Sequence, residues 1–451
     1  MVKRAEVRSW LGAAVAAAAL GGLVFVSTPA QDTAPVPATG PGQPLGAVGP
    51  ESTADPGDAS RADSVGELLD RRAAAILARD ETAFLATIDP KAEPHFVTRQ
   101  RELFTNLAGV PLDEWSYRVH PDDDLDLAEL PAESAGAAAD ELWAPGIDLR
   151  YALTGADLAP TDRPMGYLFA RAGGTWYLRS DTALDGLGRR TWRGPWDFAP
   201  CVVTSTKNGV VLSHPGSEPM VERLVREVGP SIRAVAQVWP AEWSERVALV
   251  LPDTPAEMRA LVGPDFPVDS VVAVAVADRV DNAAHTAVGQ RVVLSPMGIR
   301  SLSTSSLRVV LRHEITHVAA RAHTVDGSPT WLLEGFADYV GYRDSKISLA
   351  DGAPSLAKQV RRAGPPDALP EDRAFRGSGA ELDQAYQQSW SIARFIADRY
   401  GEETLVATYR RLAAAGPVSA SETDAMLREV LGVDRAGLVD GWRGYLADEL
   451  K

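Results

Sequence analysis

The stretch Leu311-Arg-His-Glu-Ile-Thr-His-Val-Ala-Ala320 restricts the fold of this chain more than any other. It contains His313-Glu314-x-x-His317, the H-E-x-x-H pattern of two imidazoles separated by one helical turn. An α-helix advances about 100° and 1.5 Å per residue, so both imidazoles lie on one face. Two neutral imidazoles in this arrangement can bind one Zn²⁺ at about 2.1 Å. Glu314 lies beside them, where it can act on water without being a ligand itself. The pattern therefore predicts a helix that carries two zinc ligands.

The first 30 residues are typical of an export signal. Lys3, Arg4 and Arg8 form a positive start, and residues 11–26 are apolar and uncharged. Thr28-Pro-Ala30 is a small-residue cleavage site, and no cysteine follows the apolar run, which excludes a lipoprotein anchor. A cleaved signal peptide and an uncleaved membrane anchor both stay open. In either case we expect the rest of the chain to be extracytoplasmic, secreted or anchored to the outer face of the cytoplasmic membrane.

Composition limits the partners of the chain. Its 451 residues carry a formal net charge of −16, which leaves no basic excess to neutralise phosphates and argues against nucleic acid. The single cysteine, Cys201, excludes an intrachain disulfide and is interpreted as a buried core residue. The oligomeric state does not follow from the sequence.

Residues 31–62 are rich in Pro, Gly and Ala and predict a disordered spacer. Residues 63–182 follow as a module of helices (63–79, 81–88 and 96–107) and then alternating strands (115–120, 147–153, 165–170 and 175–180), the last pair joined by a turn at Gly173-Gly174. This order predicts an α+β fold. The leading helix, the segment from Ala78 to Leu85 and the closing hairpin resemble NTF2-like cone domains. Such a module is structural or binds a partner or ligand.

After a linker at 183–200, residues 201–451 form a second predicted domain. Strands are expected within 201–212 and at 247–251, 270–277 and 291–295, with helices at 218–238, 255–261 and 304–322. The strands would form a small mixed sheet that packs against Leu311, Ile315 and Val318 of the motif helix. Three amphipathic helices (402–414, 421–431 and 437–450) make the C-terminal half mainly helical.

A third zinc ligand is predicted on a separate helix, which begins at Pro329 with Ser328 as its N-cap. Glu334 and Asp338 are four residues apart on it and share one face. Glu334 can complete a His-His-Glu set that leaves one coordination position open. Asp338 can accept a hydrogen bond from the other ring nitrogen of a ligand histidine.

The H-E-x-x-H pattern followed by Glu-x-x-x-Asp resembles the gluzincin metallopeptidases, the thermolysin-like class. The segment from Trp331 to Tyr339 is similar to their bacterial peptidase MA-like branch. The resemblance implies a Zn²⁺-dependent peptidase acting on peptides or proteins, in which zinc-activated water attacks the peptide bond with Glu314 as general base. It also implies that Tyr386, in the later helical segment, stabilises the oxyanion.

Other interpretations stay open at this point. The two histidines could be solvated, Glu334 could merely favour a helix N-terminus, and Asp338 could be a surface charge. Tyr386 could be a packed aromatic with its hydroxyl at the surface. His323 is a competing oxyanion donor, although its position points it away from the site and a surface histidine is expected. In a second hypothesis the chain is an extracytoplasmic binding protein with a structural or inactive metal site.

Overall fold

The computed structural model describes residues 56–131, 139–240, 243–264, 266, 268 and 271–450, with side chains from residue 61 onward. The predicted export signal and residues 31–55 of the predicted spacer lie outside these residues. The described chain divides into two compact units. Residues 155–159 and 201–450 form the C-terminal unit, and the remaining described residues form the N-terminal unit. No helix in the described part of the chain has the length and apolarity to cross a bilayer.

Three helices open the N-terminal unit, namely α1 (Pro56–Ala78), α2 (Glu81–Leu85) and α3 (Pro94–Asn106). Helix α1 begins at Pro56, earlier than the start predicted near Asp63, because proline is tolerated in a first helical turn and the alanines and serine after it continue the helix. The last residues assigned to the spacer are therefore helical. Val65, Leu68 and Ile76 of α1 are buried, whereas Leu77, the last apolar residue of its helical pattern, is 48% exposed.

The strands of the N-terminal unit form two antiparallel sheets. One has the order β1-β3-β4 and the other β2-β5-β6. The strands are β1 (Leu112–His120), β2 (Glu141–Trp143), β3 (Gly146–Leu153), β4 (Thr161–Pro164), β5 (Leu168–Ala172) and β6 (Thr175–Ser180). The turn between β5 and β6 is where the sequence predicts it, and both of its glycines have positive φ. The strand predicted at 165–170 is shifted, and β2 and β4 were not predicted, because strands of three and four residues carry too little alternation to be recognised.

The C-terminal unit contains the expected mixed sheet. Its order is β10-β13-β9-β8-β7, in which β8, β9 and β13 are parallel and the edge strands β7 and β10 are antiparallel to their neighbours. The strands are β7 (Val202–Thr206), β8 (Gly209–Ser213), β9 (Val247–Val250), β10 (Ala273–Val276) and β13 (Arg291–Leu294). A separate hairpin of β11 (Arg279–Asp281) and β12 (Thr286–Val288) was not predicted. Cys201 is buried beside β7, as expected.

Helices make up the rest of this unit, which confirms an α+β fold. They are α4 (Glu218–Val238), α5 (Pro255–Val262), α6 (Thr304–Ala320), α7 (Thr330–Tyr342), α8 (Leu349–Gly352), α9 (Pro354–Ala363), α10 (Ala380–Tyr400), α11 (Glu402–Ala413), α12 (Ala420–Leu431) and α13 (Arg435–Glu449). The motif helix is α6, which starts at the predicted cap Ser303. Its Leu311, Ile315 and Val318 belong to the same buried core as Leu249 and Val292 of the sheet. The sheet thus supports the helix that carries the two histidines.

The predicted start of α7 is wrong in one respect. Ser328 does not cap this helix, because its hydroxyl donates to the carbonyl oxygens of Val325 and Ala413 at 2.6 and 2.8 Å. The helix begins at Thr330 without a side-chain cap from Pro329. The backbone N–H of Thr330 donates instead to Oδ1 of Asp372 at 2.9 Å, a residue far along the chain. A long-range contact therefore replaces the local cap.

Candidate metal centre

Helix α6 places the two motif histidines together. The Nε2 atoms of His313 and His317 face each other at 3.2 Å, and the ring centroids are 4.8 Å apart. This is the geometry expected of residues one turn apart. The His313 side chain is 1% exposed and that of His317 is 9% exposed, so the histidines are not solvated side chains of a surface helix.

Helix α7 brings Glu334 to the same point. Its Oε2 lies 3.3 Å from Nε2 of His313 and 3.6 Å from Nε2 of His317. The helix reaches this position because Gly335 allows α7 to pack closely against α10. A Cβ atom at residue 335 would lie 2.8 Å from the carbonyl carbon of Ser389 and closer still to its oxygen. Glycine here lets the third ligand approach the histidines.

The three atoms fit a tetrahedral metal. Four ligands at about 2.1 Å from Zn²⁺ are separated from each other by about 3.4 Å. The observed separations of 3.2, 3.3 and 3.6 Å match that edge length. Both carboxylate oxygens of Glu334 are buried, and the groups that face Oε2 are the imidazoles of His313 and His317. A buried carboxylate is costly unless a positive charge compensates it, so the donor set can hold a metal ion.

Asp338 supports the first histidine. Its Oδ1 lies 2.9 Å from Nδ1 of His313, and the carboxylate is almost fully buried. An Nδ1–H donated to this carboxylate leaves the lone pair of Nε2 directed at the position between the ligand atoms. Asp338 is therefore not a surface charge. One helix, α7, supplies both the third oxygen and the group that fixes the tautomer of His313.

Glu314 faces the edge of the sheet. Its side chain is buried, and its carboxylate accepts a hydrogen bond from the backbone of Ala275 in edge strand β10. Burial raises the pKa of Glu314, although the neighbouring histidines act in the opposite direction. A carboxylate with a raised pKa, beside but outside the three ligand atoms, has the properties of a general base.

Burial and mutual charge set the remaining pKa values. Burial alone would raise the pKa of Glu334, but the charge of His317 and hydrogen bonds from both imidazoles lower it to about 2. Burial alone would lower the pKa of His313, but Asp338 and Glu334 raise it well above its usual value. Without a metal, His313 therefore keeps its proton opposite an ionised Glu334.

Tyr386 lies on α10 at the same centre. It is fully buried, and its hydroxyl interacts with the carboxylate of Glu334. Burial raises its pKa well above 10, and the nearby charges of Glu334, Asp338 and Glu314 raise it further. The interpretation with the hydroxyl at the surface is wrong. A buried hydroxyl beside the ligand carboxylate is a donor that a bound molecule could use.

The other histidines lie elsewhere. His323 is partly buried rather than on the surface, and its ring stacks on His285 with centroids 4.5 Å apart. His214 is buried and pairs with Glu257 at 2.7 Å between Nε2 and Oε1. Neither belongs to the candidate metal centre.

Sequence patterns did not reveal three groups near the site. They are Ala275, which contacts Glu314, Asp372, which caps α7, and Phe375, whose ring packs edge-on against Tyr386 at 5.3 Å. Ala275 acts through its backbone, Asp372 through a carboxylate far along the chain and Phe375 through an apolar ring, and such roles leave no spacing signal in a single sequence.

Comparisons with known proteins give structural similarity only. No protein-family model matches the sequence, and no curated protein matches it. An M1 zinc metallopeptidase from Deinococcus radiodurans is 14% identical over 55% of this chain and 50% of that chain, with a TM-score of 0.31. A mutant of that enzyme bound to a Tyr-Ser-Ala substrate gives 15% identity over the same shares and a TM-score of 0.29. These scores are too low to establish a shared fold, and this chain spans about half the length of those enzymes.

Proposed function

We propose that this chain is an exported zinc-dependent peptidase of the gluzincin type, with His313, His317 and Glu334 as metal ligands. The observation that carries the proposal is the triangle of 3.2, 3.3 and 3.6 Å formed by their ligand atoms. Asp338 orients His313, and Glu314 lies beside the triangle without belonging to it. Two neutral nitrogens and one carboxylate suit zinc and leave a position open for catalysis.

When bound, zinc supplies a Lewis acid that polarises a carbonyl group and lowers the pKa of water. Glu314 takes the proton of the attacking water and transfers it to the leaving amine, a role that its raised pKa favours. The hydroxyl of Tyr386 donates a hydrogen bond to the carbonyl oxygen as negative charge develops on it. Without a substrate that hydroxyl interacts with Glu334, and on substrate binding it would turn to the substrate oxygen.

The sheet offers a place for an extended substrate. Strand β10 is at the edge of the sheet, and among the described residues it pairs with β13 alone. The backbone of Ala275 on this strand contacts the carboxylate of Glu314. A peptide that added a strand to β10 would pass beside the general base. We propose this edge as the path of the peptide substrate.

The test is replacement of Glu314 by Gln in the full chain. The glutamine side chain is similar in size but cannot accept the proton, so peptide hydrolysis should fall at least about 100-fold. Zinc content should stay near one ion per chain, because Glu314 is not a ligand. Cleavage is measured on a peptide library and zinc by elemental analysis.

The matched control is Glu403→Gln, at an exposed position on α11, which should change neither quantity. If the Glu314→Gln variant cleaves as fast as the wild type, Glu314 is not the general base. If the wild-type chain binds no zinc, or stays fully active after chelation, the alternative of an extracytoplasmic binding protein gains support.

The N-terminal unit is proposed to be an NTF2-like module. Three helices followed by two antiparallel sheets are consistent with a cone of this kind. Residues 1–30 are proposed to direct export. Expression of the full chain with a reporter enzyme that is active only outside the cytoplasm tests this part. A silent reporter would contradict it.

A further inference from the structure

The proposed metal centre is sealed on the side of Tyr386. Glu334 and Tyr386 have no exposed surface, and His313 and Glu314 are only 1% and 2% exposed. Only His317, with 9% of its side chain exposed, is open to solvent to a measurable degree. A peptide carbonyl must reach both the metal position and the Tyr386 hydroxyl. Some part of the surroundings of Tyr386 must therefore move before a substrate can bind productively.

The segment of residues 364–379, here named the gate segment, connects α9 to α10. Half of its residues are exposed, and its regular structure is a single 3₁₀ turn, Asp372–Arg376. It begins at Gly364 with φ of 88° and ends at Gly379 with φ of 62°, in the left-handed region that glycine adopts without strain. Two glycines at its ends provide points about which the segment can turn.

Two contacts hold the gate segment against the site. Phe375 is 5% exposed and packs edge-on against the ring of Tyr386, with an angle of 72° between the rings. Asp372 accepts the hydrogen bond from the backbone of Thr330, at the start of the helix that carries Glu334. One short segment thus touches both the tyrosine and the ligand helix.

The neighbouring elements are held more firmly. The side chain of Gln387 on α10 accepts hydrogen bonds from the backbone of Ser355 and Leu356 at 2.9 and 3.0 Å, which fixes the start of α9. Helices α7 and α10 interlock at Gly335 and Ser389. The gate segment has one buried side chain, Phe375, besides the partly buried Leu369 and Ala374, and local opening follows such weakly packed elements.

We propose that residues 364–379 form a gate over the metal centre, closed by Phe375 and latched by Asp372. In the closed state the segment covers Tyr386 and excludes water. When Phe375 leaves the tyrosine ring, the hydroxyl and the metal position become accessible. The gate rests on the proposed metal site, but its opening can be measured without peptide hydrolysis.

A reversible cross-link tests the gate. Cys201 is first replaced by alanine, and Thr330 and Asp372 are then both replaced by cysteine. The Asp372 carboxylate reaches the backbone of Thr330, which brings the two Cα atoms near the upper limit of about 7 Å for a Cα–Cα distance that a disulfide can bridge. The oxidised, zinc-loaded chain should release zinc to excess EDTA at least about tenfold more slowly than the same chain after reduction with a phosphine. Peptide cleavage should fall by a similar factor and recover on reduction.

A second variant opens the gate instead of locking it. Phe375→Ala removes the ring that covers Tyr386 and should speed zinc release about fivefold or more. Arg373→Ala is the matched control, because Arg373 lies on the same turn but is 81% exposed and pairs only with Glu371. It should release zinc at the wild-type rate. If the disulfide does not form, the zinc release rates of Phe375→Ala and Arg373→Ala still test the gate.

The results of these experiments distinguish failure of the proposed gate from failure of the proposed peptidase activity. The gate is refuted if zinc is released at equal rates from the oxidised and reduced forms, or from the Phe375→Ala variant and its control. That result would not affect the proposed peptidase activity. If zinc release follows the expectations for the gate but no peptide is cleaved, the gate is supported and the proposed peptidase activity is rejected. A wild-type chain that binds no zinc would overturn both.

Discussion

Replacing Gly335 by alanine tests whether the packing of two helices fixes the metal centre. The residue follows Glu334 directly and lies where α7 meets the backbone of Ser389 on α10. The new Cβ would be 2.8 Å from the Ser389 carbonyl carbon, whereas ordinary contacts of a Cβ begin at 3.4 Å. The helices must therefore separate by about 0.6 Å or more, because neither backbone can yield locally.

This shift exceeds what a zinc site tolerates. Ligand distances in such sites are held within about 0.2 Å, so a displaced Glu334 would weaken coordination. We expect zinc affinity to fall about 10- to 100-fold, the range caused by disturbing the supporting groups of a metal site. Overpacking lowers the free energy of unfolding by about 1–3 kcal/mol, and the higher helix propensity of alanine than of glycine offsets about 1 kcal/mol of this loss. The free energy of unfolding without metal should fall by up to about 2 kcal/mol.

Zinc affinity is measured by competition with a chromophoric chelator, and stability by urea unfolding with and without zinc. Gly444→Ala is the control, since a Cβ there meets nothing within 4 Å on an exposed face of α13. It should leave zinc affinity unchanged and stabilise the chain by about 0.5–1 kcal/mol. A Gly335→Ala variant that binds zinc like the wild type would refute the reasoning.

Three further predictions concern other contacts. Asp338→Asn weakens the charged hydrogen bond to His313 and should lower zinc affinity about 10- to 100-fold in the chelator assay, whereas Asp344→Asn at an exposed position should not. Burial raises the pKa of Asp197 from 3.8 to about 6 despite Arg193, so the folded state holds a proton that the unfolded state releases. The contribution of Asp197 to the free energy of unfolding should therefore fall by about 2 kcal/mol between pH 4 and pH 6, and urea unfolding of Asp197→Asn should lack this fall. Trp442→Phe removes the 2.9 Å hydrogen bond to Ser391 and should cost about 1–2 kcal/mol by the same method; no change would mean that the bond contributes nothing.

Local patterns in the sequence located much of the candidate site. His313 and His317 lie four residues apart, and helical geometry alone brings their nitrogens to the same face. The same periodicity put Glu334 and Asp338 on one face of a second helix. Long apolar runs at 3.6-residue spacing likewise predicted α4 and α6, since many residues contribute to each signal.

The sequence alone determined which residues could bind a metal, and the tertiary structure decided whether they meet. The distance from Glu334 to the histidines depends on how α6, α7 and α10 pack, and Gly335 sets that packing without a pattern of its own. The cap of α7 comes from Asp372 rather than from Ser328, because a carboxylate folded back from a distant loop reaches Thr330. Contacts between residues far apart in the chain depend on the whole fold, and no local spacing encodes them.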